Sequence, residues 1–197
     1  IFRVASVVWI IVSLAILLML VVTYFTTIYE IKDSNHLKDN IYLSEKIVSP
    51  AVYGIVKPKI ILPASYKDSD IELIVLHEKT HTRSFDNLWR IIAFVIVAVH
   101  WFNPFSWLFL KGFLADLELS CDERVLTKIG YDRAKDYAAS LLESKEGATV
   151  FASAFGGAKI RTRIENILSF KKVTWFSLIV FIALIGAIFY VLLTNAG

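Results

Sequence analysis

The chain has 197 residues, of which 56% are hydrophobic, and a mean hydropathy of +0.60. Soluble globular domains are roughly 45–50% apolar, so this composition predicts membrane-spanning segments. The net charge of +3 is too small to indicate nucleic-acid binding, and the single cysteine, Cys121, excludes an internal disulfide framework. Because the chain begins at Ile1 without a Met, we expect it to be a piece of a longer protein.

Two segments are long and apolar enough to cross a bilayer, which takes about 20 residues. They cover 4–25 and 173–193, and neither contains a charged side chain. A basic cluster before the second segment predicts the cytoplasmic side of the membrane. This cluster consists of Lys159, Arg161, Arg163, Lys171 and Lys172. We therefore expect transmembrane helices at 1–25 and 173–194, with a cytoplasmic domain at 26–172 between them.

The first part of that domain predicts a small sheet. Residues 41–62 are rich in β-branched and aromatic side chains and are interrupted by prolines and a glycine, which is typical of short strands. Pro58 within this run indicates an edge or a turn. Ser69 and Glu72 fit a capping box, so a helix is expected to begin there. The predicted fold is α+β and mainly helical.

Further helices follow the capping box. Residues 88–102 predict an apolar helix that is short for a full span, and we expect 88–110 to be partly membrane-associated. The pair Asn103-Pro104 is typical of a helix start, and Gly130 is typical of a helix stop. Another helix is predicted over about 133–144.

The sequence HEKTH, from His77 to His81, has the spacing of a catalytic metal site. Positions four apart project from one face of a helix, so these two histidines can bind one zinc ion (Zn²⁺). Glu78 lies beside them and can act as a general base toward a water molecule. The alternative is that both histidines lie on the polar face of an ordinary amphipathic helix.

A catalytic zinc ion needs a third protein ligand, and a later helix offers carboxylates. Glu118 and Asp122 share one face of a helix that is otherwise apolar, where carboxylates rarely occur without a cation. Glu123 is an alternative ligand, and a solvated acidic face that includes Asp116 is the opposing interpretation. The pattern resembles that of thermolysin-like zinc peptidases. This resemblance implies that Glu118 is the third ligand and that Asp122 orients a zinc-binding histidine.

The chain also resembles the integral-membrane zinc peptidases of the beta-lactam sensor-transducer family, the Bla/Mec-type signal receptors. The resemblance is carried by SPAVYGIVKPKIILP at 49–63, HEKTH with Arg83 and Asp86, HWFNPFSW at 100–107, ELSCDERVL at 118–126, and the basic lead-in KIRTRIENIL. It implies a gluzincin-like domain on the cytoplasmic side of a multi-pass protein in the bacterial cell membrane. It further implies activation by an outer sensor, followed by cleavage of the protein itself, of a cytoplasmic transcriptional repressor, or of both, as in antibiotic resistance.

The expected partners are a protein or peptide substrate and the lipid bilayer, without direct nucleic-acid contact; oligomer formation stays open. Two other functions compete with the signalling peptidase. One is a receptor with a mainly structural zinc site, against which Glu78 argues because such a site needs no general base. The other is a membrane quality-control or prenyl-protein-type zinc protease, against which 49–63 and the corner at 100–107 argue.

Two segments are expected to meet the catalytic cleft. In thermolysin-like peptidases an extended substrate adds to a sheet edge, so we expect part of 51–57 to lie beside the zinc site. The glycine-rich segment 147–161 is a candidate self-cleavage loop, with Ala154–Phe155 or Val150–Phe151 as the scissile pair. A plain flexible linker is the alternative for this segment.

Three other side-chain types near the predicted site have weaker assignments. We interpret His100 as a packed corner histidine. Cys121 lies between two carboxylates, so we expect a raised pKa and a packing role. Tyr131 and Tyr137 follow the ligand helix and could donate a hydrogen bond to an oxyanion.

Overall fold

The computed structural model describes residues 2–54, 57–66, 71–144, 159–169, 179–180 and 182–186. Within them, a long helix precedes a four-stranded sheet, and a group of helices follows the sheet. The strands are β1 (Asn35–Lys38), β2 (Ile41–Ser44), β3 (Ala51–Tyr53) and β4 (Lys59–Pro63). The helices are α1 (Phe2–Glu30), α2 (Ile71–Arg83), α3 (Asp86–Val99), α4 (Pro104–Ile129), α5 (Ala134–Glu143) and α6 (Ile160–Ser169), with a 3-10 turn at Tyr131–Arg133.

Helix α1 keeps most of its apolar surface exposed. Over Arg3–Tyr29 it is long and apolar enough to cross a membrane, and it is the one such helix among the described residues. It contacts α3, where the indole Nε1 of Trp9 donates to the carbonyl oxygen of Val99 at 2.8 Å. The second predicted span, 173–193, lies outside the described residues except for 179–180 and 182–186, which are helical.

The sheet has the strand order β1-β2-β4-β3. The central strands β2 and β4 are parallel and place Ile41 opposite Ile60, whereas the two outer pairs are antiparallel. The strands expected within 41–62 are present, and Pro58 lies in the connection just before β4. Strand β1 was not predicted, because its four residues are all exposed and lack an alternating apolar pattern.

Helix α2 is buried between two layers. On one side Ile74 and Val75 pack against the sheet residue Ile60, and on the other side Leu73 joins Tyr137 in a cluster formed with α4, α5 and α6. Burying each such aliphatic side chain contributes about 1.5–3 kcal/mol. Because both sides of α2 are covered, four of its polar residues are buried: His77, Glu78, Thr80 and His81.

The start and the end of α4 agree with the sequence. The Asn103 side chain accepts a hydrogen bond from the backbone N–H of Phe105 at 3.0 Å, and Pro104 occupies the first turn. The helix ends at Gly130, whose φ of 82° and ψ of 164° lie in a region that only glycine adopts readily. Helix α3 begins earlier than the predicted 88–102 and stops before the corner. The predicted cap at Ser69 lies outside the described residues.

Gly130, which follows α4, and Gly112, within α4, allow a test of whether the end of the helix requires a positive φ. A Cβ at Gly130 or at Gly112 would meet no atom within 4 Å, but only Gly130 has a positive φ. We expect Gly130→Ala to lower the free energy of unfolding by about 1–3 kcal/mol. Gly112→Ala, the control in the middle of α4, should raise it by about 0.5–1 kcal/mol. Denaturant titrations in detergent measure both values, and equal effects of the two substitutions would contradict the assigned helix end.

Candidate metal centre

Three predicted ligand atoms converge at the middle of the domain. The Nε2 atoms of His77 and His81, one turn apart on α2, lie 3.0 Å from each other. The Oε2 atom of Glu118 on α4 lies 3.8 Å from the first and 3.7 Å from the second. Both imidazoles are buried, because α2 is covered on both sides. The site is therefore a compact triangle of two nitrogens and one oxygen.

The opposite nitrogen of each ring is held by an oxygen atom. His81 Nδ1 lies 2.5 Å from Asp86 Oδ2, and His77 Nδ1 lies 2.7 Å from the hydroxyl oxygen of Tyr137. The Tyr137 hydroxyl donates its single proton to Asp122 Oδ1 at 2.6 Å, so it accepts from His77 Nδ1. Both rings are thus held at Nδ1 and turn their Nε2 atoms into the triangle.

Asp122 is buried and holds two donors from other helices. Besides the hydroxyl of Tyr137, it accepts hydrogen bonds from Arg163 on α6, from Nε at 2.8 Å and from Nη2 at 2.8 Å. The sequence-based role of Asp122 was to orient a histidine, and the structure joins it to His77 through Tyr137. Tyr137 as an oxyanion donor was wrong, because its only proton is committed to Asp122.

The charges around the triangle attract cations. Burial raises the pKa of Glu118, but His81, His77 and Arg90 outweigh burial and hold that pKa well below its usual range. Burial lowers the pKa of His81, but Glu118 and Asp86 outweigh it and hold the pKa well above the ordinary value. The other oxygen of Glu118, Oε1, is bound by Arg90 Nη2 at 2.5 Å, which directs Oε2 at the histidines.

These residues fit a zinc ion. Zinc bound at about 2.0–2.1 Å by tetrahedral ligands sets those ligand atoms roughly 3.3–3.4 Å apart, and the observed separations are 3.0, 3.7 and 3.8 Å. Two histidines and one carboxylate are the donor set of catalytic zinc sites that leave a coordination position open. Each histidine also has the oxygen partner on Nδ1 that zinc ligands require.

Cys121 is a second candidate for the third ligand. A donor atom from each of His77, His81 and Cys121 lies within 4.8 Å of the other two. The Cys121 sulfur, however, lies 3.5 Å from Nδ1 of His77, on the side of the ring where Tyr137 also binds. Glu118 Oε2 instead faces the Nε2 atoms of both rings, so Glu118 is the better-placed candidate for the third position. Burial raises the pKa of the thiol, but the adjacent His77 outweighs burial and lowers it, so the expected rise was wrong.

The remaining predicted acidic residues differ in burial and in distance from the triangle. Glu78 is 8% exposed and lies next to His77 on α2, where a general base is expected. Asp116 and Glu123 are exposed, and Glu123 lines a different cavity beside Lys128. The structure thus leaves Glu123 outside the triangle. The candidate cleavage pair Ala154–Phe155 lies outside the described residues.

A cavity of about 220 Å³ lies between α2 and the sheet. Val52 and Gly54, from the edge strand β3 and the residue after it, line this cavity together with His81. The side-chain amide of Asn87 donates to the carbonyl oxygens of Val52 at 3.0 Å and of Gly54 at 3.2 Å. The expected sheet edge is therefore beside the triangle, and its outward carbonyl groups accept hydrogen bonds there.

Sequence reasoning missed the partners that orient the ligands. Asp86 was quoted only within the resemblance, Tyr137 was given another role, and Arg163 was assigned to the basic lead-in of a membrane segment. A signal for Arg163 was present, because it lies three residues after Ile160 and four before Ile167, on the apolar face of its helix. A buried arginine on such a face needs an acidic partner.

Comparison with known proteins places the chain in a family. The model of the BlaR1 peptidase M56 family matches residues 1–168. The chain therefore belongs to this family of membrane signal-transducing metallopeptidases. The α+β, mainly helical fold agrees with that membership.

Individual relatives cover different parts of the chain. The regulatory protein BlaR1 of Bacillus licheniformis is 28% identical over an alignment of 167 positions that covers 78% of this chain and 28% of the relative. The regulatory protein BlaR1 of Staphylococcus aureus is 30% identical over 68% of this chain and 25% of its own length. The methicillin resistance mecR1 protein of Staphylococcus aureus strain Mu50 is 33% identical over 51% of this chain and 18% of its own length. The matched region is thus less than a third of each relative.

The hydrogen bonds that link His77 to Asp122 both pass through the hydroxyl oxygen of Tyr137. Tyr137→Phe removes only the hydroxyl group and leaves His77 Nδ1 with the more distant Asp122 Oδ1, at 3.4 Å, as its oxygen partner. We expect the zinc affinity to fall about tenfold to a hundredfold, because second-shell partners contribute that much. Competition with a chelator measures the affinity. The control is Tyr131→Phe, at a residue that is 45% exposed, and equal affinities of the two variants would contradict the assigned hydrogen bonds.

Proposed function

We propose that this chain is a zinc endopeptidase of the bacterial cell membrane that acts in signal transduction. The observation that carries the proposal is the triangle of His77 Nε2, His81 Nε2 and Glu118 Oε2, with separations of 3.0, 3.8 and 3.7 Å. Glu78 follows the first histidine directly, as a hydrolytic site requires. Membership of the BlaR1 peptidase M56 family supports the same class of chemistry.

His77, His81 and Glu118 would hold the zinc ion. Glu78 on α2 would transfer protons. A zinc ion there would supply Lewis-acid chemistry, polarising the scissile carbonyl and lowering the pKa of a water molecule. The Glu78 carboxylate takes the proton of the attacking water and returns it to the nitrogen of the leaving amine. Its burial limits the access of bulk water to this proton.

The cavity beside β3 supports a protein or peptide substrate. An extended peptide that adds to this edge gains main-chain hydrogen bonds and runs past His81. The Asn87 amide already donates to Val52 and Gly54, so it occupies acceptors that a substrate strand would use. We infer that a substrate either displaces this amide or pairs with the strand next to it.

A membrane location is supported by exposed apolar surface on several helices. Besides α1, the residues Trp89 and Ile96 of α3 and Phe105 and Leu108 of α4 are exposed, Phe105 to 74%. This surface fits the proposal that 88–110 is partly membrane-associated, within a multi-pass protein whose domain at 26–172 is cytoplasmic. The basic cluster before the second predicted span supports the cytoplasmic side.

The substrate in signalling is proposed to be the chain itself, a cytoplasmic transcriptional repressor, or both. The candidate cleavage segment connects α5 to α6, and these helices supply Tyr137 and Arg163 to the metal centre. A segment tethered at both ends near the cleft has an effective concentration that reaches about the millimolar range. An outer sensor would control the reaction, in keeping with the sensor-transducer resemblance.

The catalytic role of Glu78 is tested by an isosteric change. Glu78→Gln removes the base but no metal ligand, so we expect one zinc ion per chain and proteolysis reduced by about a hundredfold or more. The control is Glu72→Gln, at an exposed residue in the first turn of the same helix. Metal analysis and peptide cleavage measure the two quantities. Equal cleavage by the Glu78→Gln and wild-type proteins would rule out the peptidase mechanism.

Self-cleavage is tested by mapping new chain ends in the activated full-length protein. Thermolysin-like clefts favour a large apolar residue after the scissile bond, so we expect a cut at Ala154–Phe155 or Val150–Phe151. The new terminus should be absent in Glu78→Gln and present in Glu72→Gln. Cuts found only outside 150–158, or found equally in both variants, would contradict this assignment.

A further inference from the structure

Two arginines on α6 have opposite environments. The side chain of Arg161 is 87% exposed and pairs with Glu165 at 2.7 Å on the same helix, whereas that of Arg163 is 10% exposed. Both belong to the basic cluster before the second predicted span, where exposed positive charge is expected. A location near the membrane explains the position of Arg161, but it does not explain why Arg163 is buried.

The guanidinium group of Arg163 contacts the metal centre at three residues. It holds Asp122 with two parallel hydrogen bonds of 2.8 Å. Its Nη1 lies 3.3 Å from Glu118 Oε2, and its Nη2 lies 3.3 Å from His77 Nε2. A planar guanidinium bound in this bidentate way fixes both the position and the orientation of a carboxylate. Arg163 therefore determines where Asp122 lies, and it borders two of the assigned ligand atoms.

Helix α6 is held in place by apolar contacts on the same face. Ile167 is buried in the cluster around Tyr137, and Ile160 and Ile164 pack against that cluster. These contacts press α6 against α4 and α5, which carry Asp122 and Tyr137. Helix α6 ends at Ser169, four residues before the second predicted membrane segment begins at Val173.

We propose that Arg163 is a positioning residue of the metal centre, through which the docking of α6 holds Asp122, Tyr137 and His77 in their metal-binding arrangement. The inference deepens the proposed zinc function and rests on it. The two ligand helices, α2 and α4, contain the ligands but not this cation. The centre is therefore complete only when α6 is docked, and displacement of α6 would release the His77 ring from its fixed orientation.

The test compares Arg163→Met and Arg163→Lys with Arg161→Met in the full chain in detergent. Chelator competition gives the zinc affinity, and visible absorption of the cobalt-loaded proteins reports the geometry of the ligands. We expect Arg163→Met to lower the zinc affinity about tenfold to a hundredfold and to shift the cobalt bands. Arg163→Lys keeps the charge but not the paired hydrogen bonds, so it should shift the bands as well. Arg161→Met should match wild type in both measurements.

The outcomes separate the two levels of the proposal. If wild-type protein binds zinc and both Arg163 variants match Arg161→Met in affinity and spectrum, the positioning role is overturned while the proposed function stands. If both Arg163 variants lose their helical circular dichroism even with saturating zinc, the positioning role is also overturned, because Arg163 would then serve the fold as a whole. If wild-type protein binds no zinc at all, the proposed function itself fails.

Discussion

The structure depends on how the negative charge around two buried histidines is balanced. Asp86, Asp122 and the partly buried Glu118 surround the imidazoles, and removing a carboxylate from water costs several kcal/mol unless a cation is paired with it. Arg90 pairs with Glu118, and Arg163 pairs with both Asp122 and Glu118. The Nε2 side of the histidines faces Glu118, and the Arg163 guanidinium borders the same side at 3.3 Å from Glu118 Oε2 and from His77 Nε2. The proposed metal site thus belongs to the same charge balance that the fold requires.

This charge balance is compatible with folding only because α2 is held between two apolar layers. The sheet covers one side through Ile60 and Leu62, and the cluster around Tyr137 covers the other. The low-dielectric surroundings strengthen each interaction among the charged groups. The same arrangement leaves the edge strand β3 next to His81, at the cavity proposed to take a peptide substrate. The packing of α2 against the sheet therefore both buries α2 and places the cavity next to it.

The part of the site that could be predicted from sequence is the part that is local in the chain. The spacing of His77 with His81 places both rings on one face of α2, and the pattern around Glu118 suggested a third ligand. The orienting partners depend on tertiary packing: Tyr137 lies 60 residues from His77, and Arg163 lies 86 residues from it. An arginine before a membrane segment also satisfies the positive-inside pattern, so its residue type alone could not distinguish the two roles. Similarly, the helix ends at Asn103 and Gly130 were predictable from local chemistry, whereas the exposed strand β1 was not.

Several side chains that orient the candidate ligands come from helices other than the ligand helices. The ligands lie on α2 and α4, but Asp86 and Arg90 come from α3, and Arg163 comes from α6. Helix α3 is bound at its far end to α1 through the hydrogen bond between Trp9 and Val99, and α6 directly precedes the second predicted span. A shift of either membrane-connected helix would therefore act first on ring and carboxylate orientation, at hydrogen bonds that each contribute about 1.5–3 kcal/mol. Such a shift can alter the centre without breaking a bond between a ligand and the metal. The orientation of the candidate ligands is therefore coupled to the two helices that adjoin the predicted membrane segments.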